Sequence, residues 1–417
     1  MKISSLILAS LIFYHTNLLA ATNLNDAFKA ALQNNENYQL SQSKTKQLDE
    51  KVTQSEASFQ PKLNLIGAYT RLGLPEASKN PDYDKQSHSL RFNATHPLFR
   101  GFKDLATLKG AEYDKLSQKE QEEYVRLNLY STVAQSYFSI IAYEGDLKNL
   151  AEQESLLTSR VKELKERVLL GKSRKADLLS AQAQLASTKS QIESTKAQLE
   201  ITRESFANIT GLKAETVLDT PANELPTAKE INYYLTKIDQ RPDIKSLQRQ
   251  VKSSSELTKA TKGSRLPSVD LNGNYYVDRS GKPKPSQWDV GVTITLPLYE
   301  GGVISSQVRE ALEKQNEKNL LLDQARKNAE KEIKVAYETF LSNQKQLEAL
   351  SESITSFYAA YQEHLKDYRY GMSTLLDVLQ AQTNYLDSKK SYDRMKSQTN
   401  LAWNQLLVSS ADENIQK

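Results

Sequence analysis

The 417-residue chain carries 55 Lys and Arg against 51 Asp and Glu, a formal charge of +4 that is spread along the chain, which disfavours a nucleic-acid partner. It has no cysteine, which excludes disulfides, thiolate nucleophiles, cysteine-based metal sites and an N-terminal lipid anchor. Hydrophobic residues make up only 38% of it and just 14 Gly and 11 Pro interrupt it, a balance that favours long unbroken elements over an ordinary compact globule.

Residues 1–20 place one Lys before an apolar run and lead into small residues at Ala20 and Ala21, the order of a secretory signal peptide cleaved near that point. As a membrane anchor the run is too short, and His15 and Asn17 interrupt it. A helix is expected from Leu24, kinked at Gln33 to Asn37 and running on to Phe59. Period-two alternation then predicts a strand over about 61–71, with Leu63, Leu65 and Tyr69 on one face, and another over about 88–99, with Leu90 and Phe92 on one face. A polar stretch, Leu74 to Ser87, lies between them. A single long helix is expected over 103–170, then the polar knot GKSRKADLLSAQ (Gly171 to Gln182), with a return helix over 174–209.

The same order then recurs. GMSTLLDVLQAQ, Gly371 to Gln382, repeats the knot at an offset of 200, with Gly171, Ser173 and Asp177 matched by Gly371, Ser373 and Asp377. HPLFRG at His96 pairs with LPLYEG at Leu296, and upstream PKLNLIGAY at Pro61 pairs with PSVDLNGNY at Pro267. That upstream pairing has an offset of 206, so the first half carries six more residues, which the 74–87 stretch accommodates against its shorter counterpart at 280–286. The chain therefore reads as a duplication, a first repeat over 21–228 and a second over 229–417. Second-repeat strands are expected at about 267–278 and 288–299, with Val269, Leu271, Tyr275, Val290, Val292 and Ile294 on their apolar face. A long helix over 303–370 and a return helix over 374–410 follow. Within 303–370 apolar residues step by three, four or seven, a continuous seam, and at 1.5 Å per residue the helix reaches ~100 Å. No compact domain is that tall.

Each strand has one hydrophobic face and one small, polar face, which also suits a sandwich or a half-buried sheet. Strand length, aromatic ends such as Trp288 and Tyr299, and an exported chain favour an outer-membrane barrel instead. Four strands cannot close one, and lipid tolerates no open edge, so the chain must associate; three copies give twelve strands.

At LPLYEGG (Leu296 to Gly302), LPSVDLNGNY (Leu266 to Tyr275), YRYGMSTLLDVLQAQTNYLDSK (Tyr368 to Lys389) and QSYFSIIAYEGDL (Gln135 to Leu147) the chain resembles the TolC family of outer-membrane efflux proteins, over essentially all of its mature length. The resemblance implies a mainly α fold with a small β part: duplicated long helical hairpins forming a periplasmic α-barrel, joined to a β-barrel in the outer membrane. It implies a homotrimer, with outer-membrane lipid around it, that docks with a periplasmic adaptor and an inner-membrane pump as the passive exit duct of drug efflux or type I secretion. It also implies that the glycine knots, Gly171, Ser173, Gly371 and Ser373, are turns at the periplasmic tip. Asp177 and Asp377 then line the closed aperture, and Tyr368 belongs to a gating network. Two departures stand out: Gln380 occupies the place of a second aspartate, and Ser373 that of a gating arginine.

Each of these residues also has a plainer reading. Ser173 or Ser373 can cap a helix, with the nearby Asp complementing its dipole by ~0.3–1 kcal/mol. Tyr368 lies on the apolar seam, where packing alone accounts for it. Lys172, Arg174 and Lys175 have no basic counterpart at Met372, Thr374 and Leu375; they are either solvated or read by the adaptor. No histidine cluster, P-loop, nucleophile elbow or dinucleotide fingerprint is present, so neither an enzyme, a cofactor nor a metal site is expected. The alternatives in another class are a periplasmic adaptor or a structural coiled-coil protein, which the duplication and the four strands disfavour.

Overall fold

In the computed structural model, which describes residues 21–71, 86–220, 226–280 and 286–412, two asparagines divide the N-terminal segment. Asn23 accepts the Asp26 N–H at 2.9 Å and opens α1 (Leu24–Asn34). Asn35, in extended conformation, accepts the Tyr38 N–H at 3.2 Å and opens α2 (Glu36–Glu56). A side chain that captures an orphan helix donor makes the break at this point cheap. The expected signal peptide at 1–20 lies outside the described residues, as do nearly all of the 74–87 stretch and residues 281–285 of its counterpart.

The two strands β1 (Lys62–Arg71) and β2 (Gln86–Arg100) precede the 67-residue helix α3 (Lys103–Leu169), which returns as α4 (Lys175–Thr210). After a short α5 (Ile231–Leu235), α6 (Pro242–Gly263), β3 (Ser268–Arg279), β4 (Trp288–Thr295), the 68-residue α7 (Val303–Tyr370) and α8 (Leu375–Ser410) repeat the order. Among the described residues no helix is long and apolar enough to cross a membrane.

The shorter helices stack end to end along the long ones. Asn34 Nδ2 donates to the Thr210 carbonyl at 3.1 Å, so the end of α4 meets the α1–α2 junction and α2 continues along α3. The second repeat uses charge for the same joint. Arg241, buried just ahead of Pro242, donates to Asp243, to Glu332 on α7 at 2.8 Å and to the Ser409 carbonyl on α8 at 2.8 Å. Pro at the first helical position costs nothing there, because its missing N–H is one of the orphans.

Around mid-height Phe28, Tyr130, Val133, Tyr137, Phe206 and Leu407 form the largest buried cluster. The Tyr137 hydroxyl donates to the Asp219 carbonyl at 2.5 Å, and burial pushes its pKa up. Below that cluster α3 and α8 are stitched by polar pairs: Arg394 with the fully buried Asp146, Asn149 with Asp393 at 2.8 Å, and Lys389 with Glu152.

The four strands form one antiparallel sheet in the order β1-β2-β3-β4. β4 stops at Thr295, short of the expected 299, because Ser268 opposite it is the first residue of β3 and Pro297 has no N–H to give a ladder. Leu298 and Tyr299 beyond it are each 89% exposed. At the sheet–helix junction Gly101 has φ +61°, and a Cβ there would meet the Gly263 carbonyl oxygen at 2.2 Å, so only glycine fits between β2 and the end of α6.

Candidate functional site

The strand register puts every candidate lipid-facing residue on one face. Leu63 and Leu65 lie opposite Ala94 and Phe92, and Tyr69 opposite His88; Leu90 sits opposite Gly67. Phe92 lies opposite Tyr275, which lies opposite Trp288; further along, Gly273 meets Val290, Leu271 meets Val292 and Val269 meets Ile294. Val269 and Leu271 are half-buried; the other nine named residues of this belt are exposed. An apolar surface continuous over four strands is too large to face water in a lone soluble domain.

The opposite face is a polar ladder. Asn93 donates to Asn274 at 3.0 Å and Asn274 to Asp289 at 2.8 Å; one row away, Thr95 reaches Asn272 at 3.1 Å and Asn272 reaches Thr293 at 3.3 Å. Nearer the helices Arg100 pairs with Asp270 at 3.1 Å. Side-chain amides that satisfy each other across strands hold this surface in register while leaving it wettable.

At the far end of the helices the two knots are turns. Gly171 (φ +69°) and Gly371 (φ +78°) take the left-handed conformation that closes a helix. The Lys172 N–H reaches back to the Arg167 carbonyl at 2.8 Å and the Met372 N–H to that of Asp367 at 2.9 Å, the same closure in both. The turns differ in what opens the next helix. Neither serine is the cap. Thr374 accepts the Asp377 N–H at 3.3 Å, and Asp377 accepts the Thr374 N–H at 2.8 Å and its hydroxyl at 2.6 Å, a reciprocal capping box. Those hydrogen bonds hold the Asp377 carboxyl below its usual pKa. Ser373 supports it with a longer bond to Asp377 at 3.3 Å, and Gln380 turns away to Asn384 at 2.9 Å. At the first turn Arg174 occupies the cap position without capping, and its guanidinium instead grips Asp177 at 3.1 Å. Lys172, Arg174 and Lys175 are exposed.

Tyr368 is half-buried and makes no bond to Asp177 or Asp377. Its hydroxyl accepts from Arg167 of α3 at 2.9 Å, and the guanidinium carbons of Arg167 and Arg160 lie 5.2 and 5.8 Å from its ring centre. Glu163 holds both arginines, at 3.3 and 2.8 Å. Beneath them Leu157, Leu164, Ala181, Leu375 and Leu379 tie α3, α4 and α8 into one small core with Tyr368 against it. Arg167 and Thr374 are the participants that sequence reasoning missed. Thr374 carried a legible signal, Thr-x-x-Asp ahead of an apolar run. Among the described residues no group of His, Cys, Asp and Glu can hold a metal ion.

The chain matches the outer membrane efflux protein family over residues 27–212 and 236–410. It is 21% identical to outer membrane protein TolC of Vibrio cholerae over 371 residues, 86% of this chain and 82% of that protein. Its fold superposes on the Campylobacter jejuni CmeC outer membrane channel with a TM-score of 0.82 at 20% identity, covering 93% of this chain and 85% of that one. The outer membrane protein VceC of Vibrio cholerae gives 0.82 at 16% identity, covering 93% and 95%. The matched family is one of outer membrane efflux proteins, and the solved structures that share this fold are channels rather than enzymes. The chain belongs to the outer membrane efflux protein family, a TolC-like channel of the bacterial outer membrane whose helices extend into the periplasm.

Proposed function

We propose that three copies of the chain assemble into a passive duct, a twelve-stranded barrel continuous with a helical barrel. It forms the outer-membrane end of a tripartite apparatus for drug efflux or type I secretion. The sheet carries this reading: its apolar face is continuous over four strands, yet among the described residues the outer edges of β1 and β4 are unpaired. Lipid supplies no hydrogen-bond partner for an edge, so the edges must pair with other copies. Within this reading the chain is two repeats, 21–228 and 229–417, each contributing one hairpin and two strands. Energy comes from an inner-membrane pump joined through a periplasmic adaptor.

In the closed duct Asp177 and Asp377 of three copies ring the aperture, and the Arg167–Tyr368 bond holds the α7–α8 hairpin against α3. Lys172, Arg174 and Lys175 make the first turn chemically distinct and available to the adaptor. Family membership sets aside the adaptor and coiled-coil alternatives for this chain itself. The mass of the detergent-extracted protein and its conductance in a planar bilayer test the reading: a trimer that conducts is expected, and a water-soluble monomer would overturn it.

A further inference from the structure

We propose that the barrel lumen carries an anion-binding girdle near its outer mouth, built by Arg91 of β2 and Arg279 of β3 around the ring of Tyr276. It receives phosphate- or carboxylate-bearing solutes as they leave. The proposal rests on the duct reading, because it takes the apolar face as the lipid side and the polar ladder as the lumen.

The placement comes from register. Arg91 lies opposite Tyr276 and Ser89 opposite Arg279, on the face away from Leu90, Phe92 and Tyr275. Between those pairs β3 carries an extra residue, since Leu90 meets Asp278 while Arg91 meets Tyr276, and such a bulge re-aims the side chains beside it. Both guanidiniums converge on one ring, with the Arg279 carbon 4.3 Å and the Arg91 carbon 5.9 Å from its centre. This is the end of the sheet away from the helices.

Among the described residues neither arginine has a carboxylate partner, and Arg91 Nε is shielded from solvent with no hydrogen-bond acceptor. Elsewhere on the sheet several charges are answered. Arg100 holds Asp270, and Asp289 takes a bond from Asn274. Even His88, on the lipid side, has Asp278 at 3.2 Å. Two like charges held on one ring repel, and an anion that bridges both removes the repulsion while satisfying the shielded Nε. Guanidiniums present planar forks suited to phosphate and carboxylate oxygens, and the ring fixes their orientation in advance. Threefold repetition in a narrow lumen would concentrate the field. The duct would then have opposite signs at its two ends, acidic at the periplasmic tip and basic at the mouth.

The test records single channels of the full-length protein in planar bilayers with tripolyphosphate added on the barrel side. We expect block of the open channel that is at least ~10-fold weaker in Arg91→Gln/Arg279→Gln, with Arg91→Lys/Arg279→Lys in between because it keeps charge without the fork. Should the double variant not assemble, Arg279→Gln alone, at an exposed position, is expected to weaken block by ~3-fold. Equal block in wild type and Gln variants, or no block in wild type, would overturn the girdle while leaving the duct standing. Absence of any conductance would overturn both.

Discussion

Arg167 on α3 donates to the hydroxyl of Tyr368 on α7 at 2.9 Å, one turn before the two helices reach their glycine turns. This bond joins the first hairpin to the second at the end where a duct would close. Tyr368→Phe removes the bond and keeps the ring. A partly solvated hydrogen bond of about 1 kcal/mol corresponds to a roughly fivefold shift toward the open state. Bilayer recordings should show larger or more frequent openings; unchanged conductance would assign Tyr368 to packing alone.

Asp177→Asn together with Asp377→Asn removes the carboxylates that the duct reading places at the aperture, six in a trimer. The amide oxygen introduced at position 377 still accepts from Thr374, so the turn is preserved. The permeability ratio of potassium to chloride should fall toward unity, as loss of a charged ring predicts. A reversal potential identical to wild type counts against any aperture role.

The capping box gives the second turn a pH dependence. Hydrogen bonds from Thr374 stabilise the ionised Asp377, so its folded-state pKa lies below the ordinary aspartate value of 3.8. The stabilisation is complete above that unfolded value and is lost as pH falls through the lower folded one. Amide exchange in the first turn of α8, corrected for intrinsic rates, should therefore accelerate on strong acidification. Thr374→Ala should weaken the dependence without removing it, since the backbone N–H of residue 374 and the Ser373 hydroxyl still reach Asp377, and should cost about 1 kcal/mol at neutral pH.

Asp146 is fully buried on α3, whereas its partner Arg394 is 46% exposed on α8. Arg394→Ala strands a carboxylate in the seam, and loss of one partner of a buried pair costs ~3–5 kcal/mol. The low end applies because Arg394 keeps much of its solvent. The thermal unfolding midpoint should fall accordingly, and Arg394→Ala/Asp146→Asn should recover part of the loss.

Charge reversal at the first turn needs care, because Arg174 holds Asp177. Lys172→Glu with Lys175→Glu changes the surface without breaking that pair. Crosslinking to the periplasmic adaptor that the duct reading calls for should weaken; unchanged crosslinking would mean the lysines are merely solvated.

The helices and the sheet were legible because period and length are local properties: the three- and four-residue steps of 303–370 and the alternation of Val290, Val292 and Ile294 need no tertiary knowledge. The strand end at Thr295 was not, since it depends on where β3 begins. The Arg167–Tyr368 bond was hidden for a different reason. Aligning the repeats pairs Tyr368 with Val168, its equivalent, whereas the contact joins non-equivalent positions of the two hairpins. Serine at both knots likewise drew attention from Thr374, the residue that caps. Repetition shows what the two turns share, and the cap and latch lie in what they do not.

The unpaired edges of β1 and β4 also bear on how the molecule is made. A newly exported chain can complete its helical hairpins alone, since their bonds are internal, but its sheet ends in two templates for indiscriminate strand pairing. Under the duct reading, sheet closure, oligomer formation and entry into lipid are nearly one event, second or higher order in chain concentration. Lowering the expression rate should delay barrel maturation far more than helix formation, leaving a periplasmic pool of folded rods waiting for their caps.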